Sequence, residues 1–198
     1  MSKAAVLAAI LLAAIATPVF ADDVADKIEL ARTANSKGDS LRALAALQTA
    51  EAAIAARLVD QFARVMPPAP AGWEATAPES EPLDAVGGGL TVTRGYQKGD
   101  SVMNATLTID NPSVANSAAL FQAGPSSGEG GTAWRAVKVG PETAMLRFDP
   151  SSGEGEIVLV VQMRAALQIE GSDIPSDQAL AAVAQGWNLT LLKKLLGQ

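Results

Sequence analysis

The chain has 198 residues, 48% hydrophobic and 18% charged, with 15 basic against 21 acidic side chains. That length suits one domain plus an appendage, and the composition belongs to a packed core, not to a disordered chain. It contains no Cys and no His, which excludes disulfides, thiol nucleophiles, histidine triads, Cys or His zinc sites and the usual haem ligands. Its acidic balance, with no basic run beyond Lys193-Lys194, lacks the footprint of a nucleic-acid binder and argues against docking on anionic lipid.

Residues 1–21 read as a secretory signal. Lys3 is the charged start, 13 apolar residues follow at 4–16, Pro18 breaks the helix, and Val19 and Ala21 suit the −3 and −1 cleavage positions. The apolar run is shorter than the ~20 residues a spanning helix needs. The expectation is export with cleavage before Asp22, no membrane insertion afterwards, and, with the Ala-rich composition, a bacterial periplasmic location.

Residues 22–66 predict a helical hairpin. A first helix at 24–34 carries Val24, Ile28 and Ala31 at helical spacing. Gly38 suits a left-handed helix end, and Asp39 or Ser40 the next N-cap. The second helix, 41–66, has an apolar stripe of Leu44, Leu47, Ile54, Leu58, Phe62 and Val65. The short first helix is expected to cover the end near Leu44 and Leu47. The remainder, Ile54, Leu58, Phe62 and Val65, must lie on the α+β domain, on a second copy or on a protein partner, and the expectation is a contact surface for a second copy or a partner. Gly38-Asp39 followed by Ala43-Leu44, Leu47 and Ala50 resembles the middle of one tetratricopeptide unit. A solenoid needs at least about three such units, so the reading is an ordinary hairpin.

Residues 67–89 read as a linker or extended cover, since five of the 11 prolines fall at Pro67, Pro68, Pro70, Pro78 and Pro82, and Gly87-Gly88-Gly89 closes the stretch. Trp73 stands out there, as a docking residue on its own domain or on a partner.

Residues 90–198 read as α+β. Strands at 90–96 and 102–109 form a hairpin, the second alternating Met103, Ala105, Leu107 and Ile109 with polar neighbours. A helix at 112–122 follows, then strands at 134–139, 143–148, 156–163 and 166–170, and helices at 175–185 and 189–196 with Asn188 as cap. The apolar run 157–161 suits a strand covered on both faces. The order gives a mostly antiparallel sheet flanked by helices. With Ala71-Gly72-Trp73, Val137-Lys138-Val139-Gly140 and Leu167-Gln168-Ile169-Glu170-Gly171 as its markers, residues 70–196 resemble the PsbP-like α/β/α sandwich of a photosystem extrinsic family and small bacterial envelope proteins. That resemblance implies a non-catalytic role.

Candidate chemistry is sparse. Gly128-Glu129-Gly130-Gly131-Thr132-Ala133 fits a dinucleotide pattern, but a helix precedes it and a strand follows, the reverse of what that motif requires. Pro125-Ser-Ser-Gly-Glu-Gly recurs at Pro150; Asp149, Glu154 and Glu156 could offer oxygen ligands to Ca²⁺, yet the spacing is not that of an EF-hand, and solvated turns are the expectation. Glu142, Asp149 and Glu170 flank strands as possible acids with nothing in their spacing to force convergence. The reading is a non-enzymatic periplasmic interaction or binding module with no cofactor. The alternative is a carboxylate-dependent hydrolase or small-ligand protein.

Overall fold

A computed structural model describes residues 20–124 and 133–197. The chain divides into two compact units, 1–56 and 57–198.

In the first unit α1 (Phe20–Ser36) takes in the expected cleavage junction in its first turn, and α2 (Ser40–Ala63) begins after a tight turn. Gly38 has φ +77°, and the Asp39 N–H reaches back to the Ala34 carbonyl at 3.0 Å, which closes α1 through a left-handed residue. The Asp39 carboxylate accepts the Arg42 N–H at 3.1 Å and caps α2. The expected hairpin is thus built as its turn chemistry dictates, but its inside is different. Ala31, Ala34, Ala43, Ala46 and Ala50 are the buried side chains, while Leu44 and Leu47 are about half exposed. The expectation that the first helix covers Leu44 and Leu47 is therefore corrected: the methyl groups are buried and the larger side chains are left in water.

The second unit is α+β, with an eight-stranded sheet in the described residues. Its strands are β1 (Glu74–Ala75), β2 (Glu79–Pro82), β3 (Leu90–Lys98), β4 (Ser101–Ile109), β5 (Arg135–Val139), β6 (Glu142–Asp149), β7 (Glu154–Val161) and β8 (Ala165–Ser172). The order is β1-β3-β4-β8-β7-β6-β5, with β2 also on β3, and every pairing is antiparallel. Residues 67–89 are accordingly more than a linker. They supply β1 and β2, which cover the outer side of β3 and include Pro82 at a position that only an edge strand tolerates. Trp73 packs half-buried against the core of this unit.

Alternation along the strands defines two faces. Met103, Leu107, Leu146, Ile157, Leu159, Leu167 and Ile169 point to one of them and form the main core with α4 (Asp177–Gln185) and α5 (Leu189–Leu195). The end of α2 and the turn after it join this core through Phe62, Val65 and Met66. The other face carries α3 (Ser113–Ala123), whose Leu120 and Phe121 pack on a smaller cluster of Trp134, Met145 and Val158. Val158 thus faces away from Ile157 and Leu159, so the continuous apolar run of β7 is buried on both sides as expected.

Tyr96, the only tyrosine in the chain, is 2% exposed, and its hydroxyl donates to the Pro67 carbonyl at 2.7 Å. Burial pushes its pKa up to about 12, against a smaller opposing pull from Arg94. An unfolded phenol titrates near 10. Between those values the unfolded chain gives up a proton that the folded chain keeps. The contribution is therefore intact below pH 10 and is lost as pH rises towards 12, by roughly 2–3 kcal/mol. Denaturant melts across this range should show that slope in the wild type and lack it in Tyr96→Phe.

Candidate functional site

The five residues proposed from sequence as a contact surface separate into two groups. Ile54 and Leu58 are 43% and 40% exposed, whereas Phe62 and Val65 are 5% and 0% exposed. Phe62 and Val65 are therefore core residues of the second unit and not surface, and half-buried Trp73 packs on that same core. The stripe is one helical face; its end at Phe62 and Val65 belongs to the core of the second unit, whereas Ile54 and Leu58 are exposed. Leu41, Leu44 and Leu47 are exposed with Ile54, and Ile28 and Leu30 are exposed on α1.

The second feature is a groove of about 490 Å³ on the α3 side of the sheet, lined by residues that include Asn104, Arg147, Asp149, Glu156 and Glu170. Strand register makes it. Arg147, Glu156, Glu170 and Asn104 stand directly opposite one another on β6, β7, β8 and β4, forming one polar row across four strands. Arg147 Nε donates to Glu156 Oε2 at 2.9 Å, and its guanidinium lies 5.0 Å over the Trp134 ring. Gln168 Nε2 donates to Glu156 Oε1 at 2.8 Å and to Glu170 Oε1 at 2.9 Å, joining two facing carboxylates through one amide. The side-chain donors of Arg147 and Gln168 are thus turned onto the row itself.

Of the acids considered from sequence, Asp149, Glu154, Glu156 and Glu170 all line this groove, while Glu142 is paired with Lys193 away from it. Asp149 is occupied locally: its Oδ1 accepts the Ser151 hydroxyl at 2.6 Å and the Ser151 N–H at 2.8 Å. The hydroxyl bond first, then the N–H bond, holds its carboxyl below the usual range. Asp110 is likewise held low, chiefly by the side-chain hydrogen bonds from Arg164, and Glu29 by that from Arg32. None of these three is kept as a proton donor at neutral pH. No group of three Asp or Glu that could hold a metal ion occurs among the described residues. The earlier acidic loop, 125–131, and all but Ala133 of the dinucleotide-like stretch lie outside the described residues.

A second hollow, about 510 Å³, is lined by Thr91, Thr108, Asn111 and Asn116 among others. Asn111 is fully engaged there. It donates to the Val86 and Gly88 carbonyls at 3.1 and 2.7 Å and accepts the Ser113 N–H at 2.9 Å, fastening the start of α3.

Sequence reasoning had no means to find Gln168 or Arg147. Arg147 belongs to no motif, Gln168 stands only in the 167–171 marker of a resemblance that gives it no role, and only register places them beside Glu156. No family model matches the chain, and neither a curated protein nor a solved structure matches it. Among the described residues no helix is long and apolar enough to cross a membrane.

Proposed function

We propose that the protein is a non-enzymatic interaction module of the bacterial envelope, with a PsbP-like α+β unit bearing a helical unit that engages a protein partner or a second copy. The observation that carries this reading is the reversed distribution in the helical unit: alanines are buried and Leu41, Leu44, Leu47 and Ile54 are exposed. Burying a large apolar side chain contributes about 1.5–3 kcal/mol. These four, from 43% to 83% exposed, would gain on the order of 5 kcal/mol, before the cost of association. That supports a reversible complex and not an obligate one. Export rests on the signal-like residues 1–21, and an intact mass that begins at Asp22 supports it; a secreted chain that still begins at Met1 removes it.

The test is light scattering of the exported full chain beside Leu47→Glu/Ile54→Glu, together with affinity capture on both. Neither substituted side chain is buried, so both proteins should melt within a few degrees of each other. Loss of a dimer, or loss of one specific captured protein, in the substituted chain alone is the expected result. If the two proteins have the same mass in solution and the same captured set, the helix face has no such role.

A further inference from the structure

The chain has no Cys, so a two-electron oxidant finds no thiolate here and the sulfur it meets is thioether. Of the five methionines, Met1 lies outside the described residues. Met66 and Met103 are buried in the main core and Met145 in the smaller cluster. Met163 is 61% exposed. It sits in the tight turn between β7 and β8, where Gln162 and Met163 both have φ +56°. The Arg164 N–H closes that turn on the Val161 carbonyl at 3.1 Å, and Val161 pairs with Ala165 across the hairpin. Both of those flanking residues are buried. Arg164 fastens the turn further, with Nε and Nη2 on the two Asp110 oxygens at 2.8 and 2.6 Å and Nη1 on the Leu196 carbonyl at 2.6 Å. The hairpin is thus held in place while the methionine at its tip stands in water.

We infer that Met163 is a site of reversible oxidation by peroxides. The sulfur lone pair attacks one peroxide oxygen, forming the S–O bond as the O–O bond breaks. The hydroxide released takes the remaining proton and leaves as water, so sulfur loses two electrons and the peroxide gains them. The product is a sulfoxide, which is polar and disrupts a core in which it is buried. At Met163 the added oxygen enters water and no buried contact is lost. The chain therefore takes up one oxygen atom at one position with its fold intact. The return step needs two thiols, which form a disulfide as the sulfoxide oxygen leaves in water. This chain has no thiol, so a thiol-dependent reductase must supply them. Nothing in this chemistry depends on the exposed face of α2.

The test treats the full chain with hydrogen peroxide, folded and in urea, and reads oxygen uptake at each methionine by peptide mass spectrometry. In the folded chain Met163 should react at least about tenfold faster than Met66, Met103 and Met145, which are reached only when the structure opens. Urea should bring those three up to the rate of Met163 and change Met163 itself by less than about twofold. The singly oxidised protein should melt within a few degrees of the untreated one. Methionine sulfoxide reductases for both epimers, with dithiothreitol, should then remove the oxygen. Met163→Leu should abolish the fast uptake, and Met163→Gln should do the same if leucine lowers the melting temperature. A folded Met163 that reacts no faster than the buried three overturns the inference. So does a melting temperature that falls by more than a few degrees on its oxidation, or a sulfoxide that the reductases leave in place.

Discussion

Phe62→Ala destabilises the second unit by about 3–5 kcal/mol, the range for emptying a buried aromatic site, while Leu58→Ala, four residues earlier on the same helix, costs under about 1 kcal/mol. The contrast follows from burial: Phe62 is 5% exposed in a core shared with Val65 and Met66, and Leu58 is 40% exposed. The turn after α2 reinforces the seat. The Val65 carbonyl accepts the Asn188 N–H at 3.0 Å, and the Pro67 carbonyl accepts both Tyr96 and Arg94 Nη1. Urea melts of the two variants measure the difference. Equal losses would mean that the end of α2 is not seated in this core, and a truncated chain starting at Pro67 would then keep its stability.

Gly89→Ala should be similarly damaging for a backbone reason. Gly89 has φ +92°, and a Cβ built there would lie 2.2 Å from the Ile109 carbonyl oxygen and 2.9 Å from the Asp110 carbonyl carbon. Neither neighbour is a flexible side chain that could swing aside. Its own carbonyl accepts the Leu83 N–H at 3.0 Å, which ties the loop after β2 to the start of β3. A loss on the order of 3 kcal/mol is expected, which for a unit of this size lowers the melting temperature by about 10 °C. Gly88→Ala is the control. Gly88 also has positive φ, but a Cβ there meets nothing within 4 Å, so the smaller penalty of the left-handed conformation alone should remain. Calorimetry of the pair separates the clash from the dihedral cost.

Local chemistry was legible in the sequence and assembly was not. The hairpin of β3 and β4, the Gly38 turn, the Asn188 cap and the two-sided burial of β7 each follow from a few adjacent residues. Asn188 accepts the Leu191 N–H at 3.0 Å, as a cap should. β1 and β2 were illegible because strands of two and four residues, rich in Glu and Pro, have no apolar alternation; β3 creates them by offering its edge. The stripe on α2 misled in a specific way. Apolar spacing locates a face, but it cannot tell a face turned to the core, as at Phe62, from one left open, as at Leu47. The groove was hidden for a third reason. Asn104 and Glu170 meet because β4 pairs with β8, and nothing near either residue announces that partner.

That pairing also sets the order in which the chain can become whole. β8 lies in the middle of the sheet although it is the last strand to be made, with β4 on one side and β7 on the other. A nascent chain that stops before Ala165 holds a β3–β4 ribbon and a β5–β7 meander with nothing to join them, and each offers a bare edge to whatever is nearby. β8 closes on β7 as a local hairpin, but its pairing with β4 joins Val102–Ile109 to Ala165–Ser172, far along the sequence, and such long-range closure is slow. The interval between synthesis and the arrival of β8 is therefore when this protein is most exposed to misassembly and has most need of a chaperone.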